Sequence, residues 1–340
     1  MIKMSYNAYM GKKAKYDIMN RQGVVLIPAH SVLNQDAIKL LELHNIDPID
    51  IVVMSLEEAR LESPVTLLKD AVGYSQELFS RLRFGRKLPL MEIKNELIPA
   101  VRQVSQHPDL FELFESVKAK DEYTHKHNIG VGVLSTLIGQ WLKLEEADLS
   151  LLSLAATLHD IGKVRIPEEI LLKPGKLTKA EFAEMKKHTI YGYEMLKETV
   201  GLSPRVMLVA LQHHERSDGS GYPLGLKGGE IDHFSEIVAV ADVFHAISSE
   251  RPYHPAMPFY RVVTLMRDGA FGDLNPQLVN LFMNNYIHTL KGRRILLTDG
   301  REAEVLHINQ REDLRPLVRI DGKLVDLTKE RHLHIEKVLG

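Results

Sequence analysis

The chain has 340 residues, a formal net charge of −2 and no cysteine. Disulfides, thiolate metal sites and cysteine nucleophiles are therefore excluded, and a balance this close to neutral argues against a protein devoted to bulk nucleic acid. No apolar run approaches the roughly 18 residues of a membrane span and no signal-peptide pattern opens the chain, so the expectation is a soluble, cytoplasmic protein without a membrane partner.

The length predicts two or three domains. Residues 1–55 read as a small α/β module. Gly23 to Pro28 is a short strand ended by proline, Asn34 is an N-cap for a helix from Gln35 to His44, and Ile49 to Met54 reads as a second strand. No catalytic constellation falls there, which leaves a regulatory or dimerising role. Residues 56–290 are helical almost throughout, with segments at Val65 to Leu82, Pro89 to Val104, Asp109 to Val117, Tyr123 to Leu142 and Glu145 to Leu158. The cations of Arg81 to Lys87 suit a helix C-terminus. Thr178-Lys179-Ala180-Glu181 fits a capping box at the head of a helix reaching Val200, followed by Pro204 to His214, Glu236 to Ser249 and Asn275 to Leu290. After Lys291 the period changes to two hairpins, turning at Thr298-Asp299-Gly300 and Asp321-Gly322, which makes 291–340 a small β module. The fold class is thus mainly α, an all-α core flanked by an α/β module and a β module.

Histidine is the informative residue, because 9 of the 16 lie between His125 and His254. In Leu158-His159-Asp160-Ile161-Gly162-Lys163 an imidazole and a carboxylate are adjacent. Neighbours on a helix point about 100° apart, but at a C-terminus, which Gly162 suggests, the two side chains can converge. His127, His188 and His213-His214 interrupt other apolar helix faces, and Asp242 sits inside the apolar run Ile237 to Phe244. A carboxylate there is costly unless paired or metal-bound. Together these segments supply His127, His159, Asp160, His188, His213, His214 and Asp242. Seven ligands are too many for one tetrahedral zinc and suit two five- or six-coordinate ions, with Asp160 able to bridge. Two such ions about 3.5–4 Å apart can hold a bridging hydroxide and clamp a phosphoryl oxygen. The site stays cationic and should attract a phosphodiester. Lys163 reads equally as a group stabilising charge on that phosphoryl and as an exposed loop lysine.

His213-His214-Glu215-Arg216-Ser217-Asp218-Gly219-Ser220-Gly221-Tyr222-Pro223, taken with His159-Asp160, resembles the HD-GYP family. Ile166-Pro167, Lys173-Pro174-Gly175, Leu177-Thr178, Val240 to Phe244 and Ser249 to Tyr253 extend the likeness over roughly 121–256. The resemblance implies a bacterial cyclic di-GMP phosphodiesterase with an all-α core and a centre of two or three metals, often iron. It implies that His127, His159, Asp160 and Asp242 hold one ion and that His188, His213 and His214 hold the second, with Asp160 bridging. It makes Asp160 and Lys163 the catalytic pair, and Lys163 and Arg251 contacts to the ligand. Tyr222 reads as a packing residue beside the site.

Three departures stand out. Tyr123 replaces the family's third-metal glutamate, so two divalent ions, iron or manganese, are expected. His245 replaces an aspartate three residues after Asp242, and the i, i+3 spacing turns it toward the site as a substrate-binding residue that leaves the metals alone when changed. His254 replaces a Lys or Arg. The leading expectation is hydrolysis of cyclic di-GMP to pGpG, GMP or both. A catalytically weak cyclic di-GMP receptor and a hydrolase of another cyclic dinucleotide are the alternatives. A homodimer and signalling partners engaged through the terminal modules complete the expectations.

Overall fold

The computed structural model describes residues 6–20, 24–27, 31–54, 64–118, 123–249, 257–269 and 272–339. They fall into two compact units, Met1–Leu67 with His107–Asp109, and Leu68–Gln106 with Leu110–Gly340. Arg251 and His254 lie outside the described residues, as do residues 119–122.

The first unit has its own core, in which Tyr6, Ile18, Ile27, Leu33, Ile38, Leu41 and Ile51 are buried. Strands β1 (Ile18–Met19) and β2 (Val25–Ile27) pair antiparallel. Helix α1 (Gln35–Leu43) starts where Asn34 accepts from the Ala37 amide at 2.9 Å, as its N-cap side chain requires. The strand expected at Ile49 to Met54 is absent. Asp47 accepts from the Ile49 amide and Pro48 presets φ, so the chain makes a 3-10 turn at Pro48–Asp50 and keeps only a bridge between Val53 and Ala14.

The longer helices that follow along the chain are α2 (Pro64–Arg83), α3 (Ile98–Ser105), α4 (Leu110–Val117), α5 (Tyr123–Trp141), α6 (Glu146–Leu158), α7 (Lys179–Lys186), α8 (His188–Lys197), α9 (Pro204–Gln212), α10 (His233–Ser248), α11 (Phe259–Arg267) and α12 (Pro276–His288). The expected all-α core is borne out. Buried faces of α5, α6, α9 and α10 meet around Ile129, Val133, Leu154, Leu158, Val206, Val209, Ile237 and Val240. Phe114, Phe244, Phe282 and Tyr286 lock α4, α10 and α12 edge to face, with ring centroids 4.7–5.8 Å apart.

One difference matters for the site. The segment expected as a single helix to Val200 is two helices, α7 and α8, broken at Lys187. The capping box at Thr178 and Glu181 starts the first as anticipated. The break puts His188 at the first position of the second helix, where its ring is buried and turned inward.

The last segment forms a five-stranded antiparallel sheet in the order β6-β5-β4-β3-β7, from β3 (Arg294–Leu297), β4 (Glu302–His307), β5 (Leu317–Ile320), β6 (Lys323–Asp326) and β7 (Ile335–Leu339). The two hairpins match the turn signals. Strand β7 had no such signal, because it pairs with the sequence-distant β3. Ile295, Leu297, Val305, Val318, Ile320 and Ile335 bury the inner face. His334 stacks on Tyr260 at 4.7 Å, fixing the sheet to α11 within the same unit. Among the described residues no helix is long and apolar enough to cross a membrane.

Candidate metal centre

Five segments deliver the seven expected ligands to one place. His127 comes from the first half of α5. His159 is the C-cap residue of α6, and the backbone leaves the helix at Asp160 (φ −98°, ψ 12°) before a 3-10 turn at Ile161–Arg165. The adjacent side chains converge because of that departure. Gly162 does not cause it by acting as a helix stop; its task is close packing. A Cβ on Gly162 would lie 1.9 Å from the His188 carbonyl oxygen and 2.4 Å from the Gly192 amide nitrogen, so only glycine lets the turn rest on α8. His188 opens α8, His213 caps α9 with His214 next to it, and Asp242 lies within α10. His159, His213, Asp160 and His188 are buried, at 0%, 0%, 1% and 1% exposure.

The side chains form two sets, Asp160 with His188, His213 and His214, and His127 with His159 and Asp242, the ligating atoms of each set lying within 4.8 Å of one another. Asp160 serves both. Its Oδ2 lies 3.3 Å from His159 Nε2 and 3.6 Å from His127 Nε2, while Oδ1 lies 3.2 Å from His188 Nε2 and 3.8 Å from His213 Nε2. Asp242 spans the sets from the opposite side, with Oδ1 3.0 Å from His127 Nε2 and Oδ2 3.8 Å from His214 Nδ1.

The rings are held in one tautomer by a repeated device. His159 Nδ1 lies 2.7 Å from the Ala156 carbonyl, His188 Nδ1 lies 2.7 Å from that of Met185, and His213 Nδ1 lies 3.0 Å from that of Val209. A carbonyl only accepts, so each Nδ1 donates and each Nε2 keeps its lone pair. The Nε2 atoms of His188 and His213 then face each other across 3.3 Å. His159 Nε2 and Asp160 Oδ1 are buried without a hydrogen-bond partner. Converging lone pairs and orphaned acceptors are costly unless a cation satisfies them. The donor set therefore fits divalent metal, as imidazole plus carboxylate chemistry leads one to expect.

The electrostatics point the same way. Burial and the neighbouring rings hold His213 and His214 well below the usual imidazole range, keeping them neutral. Burial works against ionisation of both carboxylates, yet Lys163 and His159 hold Asp160 well below the usual carboxylate range, and His127 does the same for Asp242. Neutral rings around ionised carboxylates are the protonation states that metal ligation needs. Lys163 sits with Nζ 2.5 Å from Asp160 Oδ2, so it is not an idle loop lysine.

His245 is not where the i, i+3 spacing put it. It is fully buried on the far side of His127, with Nδ1 3.1 Å from His127 Nδ1 and Nε2 2.8 Å from the Val117 carbonyl. The expectation of a substrate contact is corrected: the ring backs His127 and has no exposed surface to offer. The i, i+3 rule named the right face of α10 but could not say that α4 and α5 already cover it. Arg251, the other expected ligand contact, lies outside the described residues.

Sequence reasoning missed Glu215. It is 2% exposed, and its two oxygens accept from the Leu224 and Leu226 amides at 2.7 and 3.0 Å, fastening the loop after His214. A carboxylate directly after two adjacent histidines and before a glycine-rich loop was the available signal. Tyr222, read as a packing residue, stacks on His214 with centroids 4.7 Å apart, and Lys186 lies 5.5 Å from its ring. The loop is close-packed: a Cβ on Gly221 would lie 2.4 Å from Glu215 Cα.

A helical core holding converging histidines around two shared carboxylates defines a candidate centre for divalent metal. The family model described as HD domain matches residues 111–275. A cyclic di-GMP phosphodiesterase of Pseudomonas aeruginosa is 33% identical, over 78% of this chain and 64% of that protein. A cyclic di-GMP phosphodiesterase of Thermotoga maritima is 42% identical over 51% of this chain and 49% of that one, and the 3'3'-cGAMP-specific phosphodiesterase 3 of Vibrio cholerae is 40% identical over 47% and 35%. The chain thus spans less than two thirds of the length of each of these relatives. In fold it is similar to Bd1817, an HDG"Y"P protein of Bdellovibrio bacteriovorus, with a TM-score of 0.53 and 16% identity over 83% of this chain and 98% of that one. The segment that matches the HD domain family carries all seven clustered residues.

Proposed function

We propose that this protein is a metal-dependent phosphodiesterase that opens a cyclic dinucleotide, with cyclic di-GMP as the leading substrate and pGpG, GMP or both as products. The observation that carries the reading is Asp160, whose two carboxylate oxygens each face a different set of histidines. On this reading His127, His159 and Asp242 hold one ion, His188, His213 and His214 hold the other, and Asp160 joins them. When bound, two divalent ions, iron or manganese, supply a Lewis-acid clamp on the phosphoryl group and an activated water for in-line displacement.

The chain's own residues do the rest. The Nδ1 donors fix the rings, which keeps the lone pairs aimed without further ordering. Asp160 and Asp242 stay ionised and cannot neutralise two divalent ions, so a phosphodiester anion is attracted. Lys163, three residues beyond Asp160, stabilises negative charge developing on the phosphoryl oxygens. Arg251 offers a planar fork suited to guanine or phosphate.

The test is metal-loaded protein, prepared without oxygen with iron or with manganese, incubated with cyclic di-GMP and with 3'3'-cGAMP. Linear products separated by chromatography support the reading. Protein that carries two ions and cleaves neither substrate overturns it. Preference for cGAMP would favour the second reading, to which the similarity to cGAMP-specific relatives gives weight. Tight binding of cyclic di-GMP without cleavage would make the chain a receptor, signalling through its terminal segments.

A further inference from the structure

The centre contains a histidine whose tautomer is set differently from those of His159, His188 and His213. His159, His188 and His213 each use a carbonyl of their own helix or the preceding turn. The Nδ1 of His127 instead meets another imidazole, that of His245, at 3.1 Å. The far nitrogen of His245 lies 2.8 Å from the carbonyl of Val117, at the end of α4. A carbonyl only accepts, so His245 Nε2 donates. A neutral ring then has its lone pair at Nδ1 and accepts from His127 Nδ1–H. That turns His127 Nε2 to the carboxylates, 3.0 Å from Asp242 Oδ1 and 3.6 Å from Asp160 Oδ2, where the neutral ring offers its lone pair to a cation. The Ser249 hydroxyl lies 3.4 Å from the same His245 nitrogen, beside the bond without replacing it.

The relay has a dedicated space. Gly130 lies one turn after His127 on α5, and a Cβ there would come within 2.3 Å of His245 Nε2 and 2.4 Å of its Cδ2. A ring at position 245 and the absence of a side chain at 130 require each other. His127 and His245 pack edge to face, with centroids 5.0 Å apart, and both are buried.

We propose that His245 is a positioning residue of the metal centre, one that fixes His127 as the Nδ1–H tautomer through a Val117 carbonyl–His245–His127 chain. A metal-ligating histidine ordinarily donates its second N–H to a carboxylate, a carbonyl or water. Here the immediate acceptor is a neutral ring, so His127 gains orientation without gaining the basicity a carboxylate would confer. The ion held by His127, His159 and Asp242 is therefore the more weakly bound of the two and the one that depends on position 245. This inference rests on the two-metal reading proposed above.

Two measurements test it. Long-range proton–nitrogen NMR on the metal-free, histidine-labelled protein reads the tautomers directly. His127 should carry its proton on Nδ1 and His245 on Nε2. A His127 ring without a proton on Nδ1 overturns the proposal whatever the enzyme does. Manganese competition titration then compares wild type, His245→Ala and His245→Asn. One of two ions should weaken about 10- to 100-fold in the alanine variant, while asparagine, whose Oδ1 takes the place of Nδ1, should restore it to within about threefold. Two ions bound with unchanged affinity in His245→Ala overturn the positioning role and leave the phosphodiesterase reading standing. A wild type that binds no metal, with the tautomers as stated, overturns the two-metal reading and leaves the hydrogen-bond chain standing.

Discussion

Gly162 and His188 are in backbone contact: a methyl group added at Gly162 would lie 1.9 Å from the His188 carbonyl oxygen. The turn bearing Asp160 and the helix bearing His188 therefore keep a fixed separation that one glycine maintains. Gly162→Ala should cost roughly 1–3 kcal/mol of stability, the range for forcing volume into a packed site. It should also weaken the ion shared by Asp160 and His188. Urea unfolding and metal titration of the same variant check both, and an unchanged midpoint would contradict the contact.

Asp160→Ala removes the carboxylate that faces both sets. Both ions should be lost, by elemental analysis of protein purified and reloaded under the same conditions. His188→Ala touches only one set and should leave about one ion behind, with outer estimates set by how far the two sites are coupled through Asp160.

Lys163 is within reach of Asp160 but is not among the clustered ligands. Lys163→Met should keep the metals and lower turnover of a cyclic dinucleotide by about 10²–10³, the usual effect of removing one donor that stabilises developing charge. Loss of metal together with activity would assign it a structural part instead.

The metal-free protein should lose stability as pH falls. Burial and the charges of neighbouring rings lower the folded-state values of His213 and His214, and burial lowers those of His127 and His245. The unfolded chain then binds more protons than the folded one below about pH 6.5, so this contribution is present above that value and drains away beneath it. Asp160 and Asp242, also lowered, act in the same sense further down, from about pH 4. His159 is raised by Asp160 in spite of burial and opposes the trend, but it is one ring against four. Denaturation midpoints in chelator should fall between about pH 8 and pH 5; a flat profile would contradict the burial of neutral rings.

Glu215 closes the loop after the paired histidines. Glu215→Ala would leave the Leu224 and Leu226 amides without their acceptor. Destabilisation of about 2–3 kcal/mol is expected from buried donors left unpaired. Tyr222→Phe keeps the ring stacked on His214 and should be close to neutral by the same unfolding measurement, whereas Tyr222→Ala should weaken the ion that His214 serves.

The helical core, the capping box and the two C-terminal hairpins were legible because periodicity, caps and turn residues are local signals. So was the cluster, since polar residues interrupting apolar faces mark themselves. The break at Lys187 was not legible: Lys179 to Val200 contains no glycine before Gly192 and no proline, and the break comes from seating His188 against Gly162 and His213. Strand β7 was missed because its partner is β3, some 40 residues away in the register Ile295 to Val338. The misplacement of His245 has the same origin. Spacing along α10 gives a direction but not what stands there, and that space is filled by His127, the Gly130 notch and the end of α4.

Three of the clustered rings are aimed by carbonyls three or four residues upstream in the same stretch of chain. Each is therefore oriented as soon as its own turn of backbone forms, before any neighbour has docked. The contact of His127 with the ring of His245 forms only when α10 and the end of α4 have closed over α5. During folding, the half of the centre built on His188 and His213 should become competent to capture an ion first. Uptake of the second ion would then act as a late checkpoint, reporting that the helical core has been assembled.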